Sequence, residues 1–165
     1  MTRTLIIENA RIIDPASGTD ATGAVRVDNG HIADIALDGP AGAPGDAEIV
    51  DARGLILAPG LIDMRVFTGE PGKEYRETLQ SAGEAAAAGG VTSFVMMPDT
   101  SPIVDDGALV DFLIRRAKAT SKVNVLPAGA ITKGLAGEEI LHDLLSVGDR
   151  VRSCRRRHRS RHQHC

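Results

Sequence analysis

The sequence predicts an α/β protein in which a small all-β domain precedes alternating strands and helices. Two observations predict this class. Short apolar runs separated by turn residues fill the first 57 residues, and the pattern changes after Pro59 to strand, helix, strand, helix. A third observation is that aromatic residues make up only 2% of the chain, so the core must be aliphatic. The predicted domains are residues 1–57 and 58–147, followed by a basic tail at 148–165.

The first domain is predicted to be a small β-layer of the sandwich type. Asn29-Gly30 lies between two apolar runs and predicts a type I′ hairpin, because both residues tolerate a positive φ. Residues 38–47 are rich in Gly, Pro and Ala and predict a loop. The predicted strands are 5–7 and 11–13 on either side of Glu8-Asn9-Ala10, 24–27, 32–37, and a further pair at 48–51 and 55–57.

The second domain is predicted to contain parallel strands joined by helices. Its predicted strands are 61–66, 91–97 and 123–126, and its predicted helices are 74–88, 105–119 and a third that begins at 138 and runs to 147. Strands of this length that alternate with helices indicate a parallel sheet, either open or closed. Three such units are too few for a finished barrel, which needs roughly 200 residues.

Charge is distributed unevenly along the chain. Residues 1–149 carry all 22 acidic residues and 12 of the 19 Lys and Arg, a net charge of −10, whereas residues 150–165 carry seven Arg and no acid. Both cysteines lie in this tail, so disulfides are excluded from the fold of the body. No apolar run approaches the roughly 18 residues of a membrane span, and no export signal is apparent. We therefore expect a soluble cytoplasmic protein that makes no contact with a membrane.

Six motifs resemble a known family. They are Ala-Pro-Gly-Leu-Ile-Asp-Met at 58–64, Glu-Pro-Gly at 70–72, Glu-Tyr-Arg-Glu-Thr at 74–78, Ala-Ala-Ala-Ala-Gly-Gly-Val-Thr at 85–92, Met-Pro-Asp-Thr-Ser-Pro at 97–102 and Ile-Thr-Lys-Gly at 131–134. Together they resemble the N-terminal third of a dihydroorotase, in the amidohydrolase superfamily, over about residues 1–140. The resemblance implies a small β-domain followed by a TIM barrel. The chain would then supply the first three β/α units of an incomplete barrel.

The resemblance also implies zinc-dependent chemistry, but this chain lacks side chains that the chemistry requires. In the family, a His-x-His pair after Asp-Met holds zinc, which activates hydroxide for cyclic-amide hydrolysis or its reverse. Arg65 and Phe67 stand at these two positions, and neither side chain can donate a lone pair to a metal. The family's substrate-binding Arg and Asn are replaced by Gly69 and Asp99. We therefore assign no catalytic, substrate-binding or metal-ligating residue and expect no cofactor.

Residues 64–72 resemble those of the non-catalytic dihydroorotase-like chains that associate with aspartate carbamoyltransferase in bacteria. This implies a structural or regulatory partner of that enzyme in pyrimidine biosynthesis. The alternative function is a zinc-dependent cyclic amidohydrolase that interconverts carbamoyl aspartate and dihydroorotate with a degenerate site.

Several other polar residues receive no role in the predicted chemistry. Asp63 is expected to bond nearby backbone N–H groups rather than zinc, and Lys133 lacks the partners of a carbamylated metal-bridging lysine. Glu70 and Glu77 are expected to stabilise the geometry of a loop and to lie on a solvated helix face. His31 and His142 are isolated in the sequence.

The tail is open to three interpretations. Its Cys and His residues would suit zinc, although their spacing matches no zinc fingerprint (Cys154, His158, His162, His164 and Cys165). Its seven arginines would attract nucleic acid, although the acidic body and the scarcity of aromatic residues oppose that function. The interpretation that we prefer is a frameshift or truncation, because the resemblance fades after about Leu145 and GC-rich codons read out of register give this composition.

Overall fold

The protein is described from a computed structural model, in which residues 4–37, 39–42 and 45–140 are described. The predicted helix beyond Ile140 and the tail at 148–165 lie outside these ranges. The chain divides into two compact units, Met1–Pro59 and Gly60–Cys165.

The first unit contains one five-stranded sheet. Its strands are β1 (Leu5–Asp14), β2 (Thr19–Asp28), β3 (His31–Leu37), β4 (Glu48–Asp51) and β5 (Ile56–Leu57). The order is β3-β2-β1-β4, and β5 also pairs with β1. In the described residues, the strands of the expected sandwich-type β-domain form a single sheet. The strands β4 and β5 do not pair with each other, because each lies parallel to a different half of β1.

The two strands predicted at 5–7 and 11–13 are one strand, and that prediction is wrong. Asn9 adopts a φ of 60° at an irregularity in the pairing between Ile7 and Ala10. Asparagine tolerates this left-handed conformation, so β1 continues through a bulge instead of ending. The Asn9 side chain also donates a 2.8 Å hydrogen bond to Asp51, which ties the bulge to β4.

The predicted hairpin between β2 and β3 is confirmed. Asn29 and Gly30 have φ values of 53° and 78°, and Asp28 lies opposite His31 across a two-residue turn. Positive φ at both turn positions matches the right-handed twist of the two strands. The strand β2 begins at Thr19, five residues before the predicted strand.

The second unit contains a three-stranded parallel sheet in the order β6-β7-β8. The elements are β6 (Leu61–Val66), α1 (Leu79–Ala88), β7 (Val91–Met96), α2 (Gly107–Thr120) and β8 (Asn124–Pro127), followed by a 3-10 turn at Lys133–Leu135. This confirms the predicted alternation of strands and helices. Phe94 and Met96 of β7 are fully buried against both helices, where they contact Leu79, Val110 and Leu113.

The helix predicted at 74–88 begins later, at Leu79. Thr78 has extended backbone angles and caps the helix, and its hydroxyl accepts a 3.1 Å hydrogen bond from the N–H of Ser81. Residues 74–76 form turns. The second helix is correctly predicted to within two residues, and Asp106 caps it. Residues 138–140 do not begin a helix, since Ile140 makes an isolated β-bridge to Thr132.

The strand β6 is an edge strand within the described residues, with β7 as its one partner. Leu61, Ile62 and Met64 on this strand are between 61% and 66% exposed. Among the described helices, none has the length and apolar character needed to cross a membrane.

Candidate functional site

A pocket of about 290 Å³ lies at the C-terminal ends of β6 and β7. It is lined by residues 67–69, 73, 76–77 and 99–100. Ligand sites in parallel α/β proteins collect at this end of the strands. A larger cavity of about 560 Å³ lies at the opposite ends of β7 and β8, where such folds do not place their chemistry. The smaller pocket is therefore the candidate site.

The first wall of the pocket is the loop that follows β6. The N–H of Gly69 donates to the carbonyl of Glu77 over 2.9 Å, and the N–H of Lys73 donates to the carbonyl of Gly69 over 2.6 Å. A Cβ atom at Gly69 would lie 2.1 Å from the Lys73 carbonyl oxygen. The loop therefore folds back on itself along a path that only glycine permits, and an arginine at this position would require a different path.

A second loop, after β7, is fixed to the first one. The N–H of Ser101 donates to the carbonyl of Pro71 over 3.1 Å. Gly72, with a φ of 94°, lies so close to Ser101 that an added Cβ would be 1.9 Å from its carbonyl oxygen. The two walls of the pocket are thus held together by direct backbone contact.

Glu70 connects the first loop to both helices. Its side chain is 6% exposed. One carboxylate oxygen accepts a 2.8 Å hydrogen bond from the N–H of Leu79, at the start of α1, and the other accepts a 2.7 Å bond from Nε of Arg116 on α2. A buried carboxylate needs such partners, because an unpaired charge in the interior is costly. Glu70 has the expected role in loop geometry, but its link to α2 was not predicted.

Arg65 and Phe67 are adjacent on one side of the chain at the end of β6. The guanidinium carbon of Arg65 lies 5.2 Å from the centre of the Phe67 ring, a cation–π contact. The carboxylate of Asp63 accepts a 2.9 Å hydrogen bond from the N–H of Arg65, which is the role expected for it. Neither side chain can ligate a zinc ion, because a guanidinium stays protonated and a phenyl ring has no lone pair to donate.

The structure places the remaining sequence candidates apart from one another. Glu77 lines the pocket, and its carboxylate accepts a hydrogen bond from the Ser81 hydroxyl. Lys133 is exposed in the 3-10 turn, and His31 is exposed at the start of β3. The described residues contain no cluster of three His, Cys, Asp or Glu side chains placed to hold a metal. The other histidine and the tail residues lie outside the described ranges.

The sequence prediction missed two cations in the pocket wall, Lys73 and Arg76. The available signal was their place in the loop after a parallel strand, where ligand-binding residues accumulate. Nearby, the N–H of Gly72 donates a 2.8 Å hydrogen bond to Glu74, and this bond lowers the pKa of the Glu74 carboxyl. The turn that holds both cations is thus stabilised by its own ionised carboxylate.

Comparisons with known proteins agree with the motifs. A family model described as dihydro-orotase-like matches residues 54–149. The chain is 47% identical over 138 residues to a protein named dihydroorotase from Solibacter usitatus, and 45% identical over 134 residues to one from Geobacter metallireducens. These matches cover 82% and 81% of the chain but 31% of each relative. The chain therefore spans about a third of the length of these relatives.

Solved structures show the same fold. The L-hydantoinase (dihydropyrimidinase) from Arthrobacter aurescens is similar with a TM-score of 0.70 and 22% identity, over 97% of this chain and 31% of the hydantoinase. A D-hydantoinase from a Thermus species is similar with a TM-score of 0.61 and 22% identity, over 78% of this chain and 28% of that protein. At this identity the likeness concerns the fold alone.

Proposed function

Because the chain belongs to the dihydro-orotase-like family, we propose that it is a non-catalytic member that acts in pyrimidine biosynthesis as a structural or regulatory partner of aspartate carbamoyltransferase. The similarity to proteins named dihydroorotase supports the place in pyrimidine biosynthesis. The resemblance of residues 64–72 to non-catalytic homologues supports the partner.

The observation that carries the proposal is the contact between Arg65 and Phe67. The two residues that replace the family's zinc-binding histidines contact each other through a cation–π interaction. Arginine stays protonated at every physiological pH and cannot serve as a ligand. Its positive charge would also repel a zinc ion placed beside it. The two side chains at the end of β6 therefore contact each other and offer no ligand to the family's metal.

The substrate-binding positions support the same conclusion. The backbone contacts around Gly69 leave no space for a Cβ atom, so the family's arginine cannot be accommodated without moving the loop. Asp99 lines the pocket as a carboxylate where the family has an amide. Its negative charge would repel the anionic carbamoyl aspartate. Both changes oppose the family's reaction independently of the metal.

The fold supports a second part of the proposal. We propose that the parallel sheet and its helices are the first units of a TIM barrel, preceded by the β-domain. The similarity to the hydantoinases, which extends over nearly the whole chain, supports this arrangement. The exposed edge of β6 is then the edge at which such a barrel would close.

A second candidate function is a zinc-dependent cyclic amidohydrolase with a degenerate site. The observation that favours it is the 47% identity to a protein named dihydroorotase. Zinc binding separates the two candidates. After dialysis against zinc and then buffer, the full chain with its tail Cys and His residues replaced should retain no zinc, whereas the same chain with Arg65→His and Phe67→His should retain more. Stoichiometric zinc in the chain that keeps Arg65 and Phe67 would support the amidohydrolase.

A chimera tests the loss of catalysis in a full-length protein. Residues 64–72 of this chain would replace the matching segment of the Solibacter usitatus dihydroorotase, and the control chimera would carry histidine at the two changed positions. We expect zinc to be lost in the first chimera and retained in the control, whereas dihydroorotate hydrolysis should stay low in both, because Gly69 still replaces the family's arginine. Equal zinc content in both chimeras would refute the proposal.

The proposed partner is tested by co-expression of the full chain with the aspartate carbamoyltransferase of the same genome. We expect the two to elute together in size-exclusion chromatography. Separate elution at micromolar concentrations of both proteins would contradict a role as partner.

A further inference from the structure

We propose that the pocket at the ends of β6 and β7 binds an acidic α-amino acid, such as L-aspartate or L-glutamate, through Lys73, Arg76 and Asp99. This goes beyond the proposed function, because it assigns a ligand to the site instead of a lost reaction. It requires no metal, so its test does not depend on the zinc measurements.

The three charged side chains of this proposal are unpaired within the described residues. The side chains of Lys73, Arg76 and Asp99 line the pocket, and within the described part of the chain none of them makes a hydrogen bond or an ion pair. Of the neighbouring ionic groups, Arg116 pairs with Glu70, and Glu77 accepts a hydrogen bond from the Ser81 hydroxyl. Arg65 lies over the Phe67 ring.

The signs of these unpaired charges suit one class of ligand. Two cations and one carboxylate are complementary to a molecule with two carboxylates and one ammonium group, which is the charge pattern of an acidic α-amino acid. Glu77 is a second carboxylate in the wall, but it lies just before α1, where the partial positive charge of the helix N-terminus offsets it. Asp99 is thus the carboxylate free to accept the ammonium group.

The pocket is preformed by contacts between its two loops. Its two loops are joined by the hydrogen bond from Ser101 to Pro71 and by the close approach of Gly72 to Ser101. Glu70 then fixes the first loop to both helices. A rigid site loses less free energy in ordering its residues around a ligand.

The size of the pocket fits this ligand class. Its volume of about 290 Å³ leaves room for a molecule of the size of an acidic amino acid. The apolar ring of Phe67 forms part of the wall and would contact the methylene groups of the ligand.

The test is equilibrium dialysis of the full chain against radiolabelled L-aspartate, in the presence of a metal chelator. Succinate has both carboxylates but no amine, and N-carbamoyl-L-aspartate has an uncharged amide in place of the ammonium group. We expect L-glutamate to compete well, and the other two to compete about tenfold more weakly or worse, because each lacks one charge-assisted hydrogen bond.

Variants assign the charges to individual residues. Asp99→Asn should weaken L-aspartate binding about tenfold and leave succinate binding unchanged or tighter. Arg76→Gln should weaken both ligands. The matched controls are Asp34→Asn and Arg53→Gln, two exposed residues of the N-terminal unit, which should change neither.

The outcomes that would overturn the proposal are clear. It is wrong if L-aspartate does not bind at millimolar concentrations, if succinate binds as tightly as L-aspartate, or if Asp99→Asn leaves the preference between them intact. Amide NMR shifts on addition of L-aspartate should be confined to residues 67–77 and 97–101. Shifts of equal size in the N-terminal unit would also contradict it.

Discussion

Arg116 donates a 2.7 Å hydrogen bond from Nε to the buried carboxylate of Glu70, 46 residues earlier in the chain. The bond joins the loop after β6 to the middle of α2. Because the other oxygen of Glu70 already accepts from the start of α1, a single carboxylate links one loop to two helices.

Removal of the cation should therefore destabilise the second unit. We expect Arg116→Gln to lower the free energy of unfolding by about 1–2 kcal/mol, because it leaves the buried Glu70 carboxylate with one partner fewer. This range allows for the solvent exposure of Arg116. The measurement is urea unfolding of the full chain, followed by circular dichroism. Arg115→Gln is the control, since its 3.9 Å pair with Asp111 is exposed and should contribute about 0.5 kcal/mol or less. Equal effects would contradict this account of Glu70.

Two glycines with positive φ should differ in their tolerance of alanine. Gly30 has open space around its missing side chain, whereas Gly72 has the Ser101 carbonyl in the way. We expect Gly30→Ala to cost about 1 kcal/mol, the penalty of the left-handed conformation alone. Gly72→Ala should cost on the order of 3 kcal/mol, because a steric clash is added. Denaturant midpoints of the two variants would measure the difference, and a smaller cost at Gly72 would show that the two loops can separate freely.

Acid should lower the stability of the N-terminal unit, and protonation of Asp20 should account for part of this loss. The guanidinium of Arg11 donates two 2.7 Å hydrogen bonds to this carboxylate, which lower its pKa. A lowered carboxyl pKa contributes stability that is fully present above the ordinary aspartate value, about 3.9, and is lost as the pH falls through the lower folded value. Asp20→Asn should thus reduce stability at neutral pH and flatten its decline in acid.

Thermal unfolding measured from about pH 7 down to about pH 2 would test this effect. This interval includes the ordinary pKa values of carboxyl groups. Asp34→Asn is the control, because its carboxylate makes no hydrogen bond or ion pair with the described residues. A profile for Asp20→Asn that parallels the control would rule out the Arg11 contact as the source.

The exposed edge of β6 should make the isolated chain self-associate. Its backbone groups pair on one side within the described residues, and Ile62 and Met64 are 63% and 66% exposed. Unpaired strand edges with apolar side chains favour association between chains. We expect sedimentation velocity to show concentration-dependent oligomers, and Met64→Lys to reduce them. A monodisperse monomer that unfolds cooperatively would contradict this prediction.

Local patterns predicted much of the fold. Asn29-Gly30 predicted its turn because backbone preference alone decides a two-residue hairpin, and the alternation after Pro59 predicted the parallel sheet. The start of α1 was mispredicted, because the helix-forming residues before Thr78 are held instead in turns by contacts of Gly69 with Lys73 and Glu77. The motifs indicated that Arg65 and Phe67 replace the family's two histidines. They could not predict that the two side chains contact each other, because this contact depends on side-chain geometry.

The contacts that hold the candidate pocket together could not be predicted from the sequence. The link between Glu70 and Arg116 spans 46 residues, and no periodic pattern connects a loop residue to one face of a distant helix. Lys73 and Arg76 have no motif of their own. Their significance depends on the second loop, which contributes Asp99 to the same pocket.

The link from Glu70 to Arg116 also sets the order in which the nascent chain can mature during translation. The ribosome releases the loop after β6 before it releases the second loop and α2. The first loop therefore lacks its tertiary partners until residues 101 and 116 have been synthesised and have left the ribosome. Closing so long a segment carries an entropic cost that neighbouring residues do not pay. A ribosome stalled before residue 116 would therefore hold a finished β-sheet of the first unit beside an unfinished pocket.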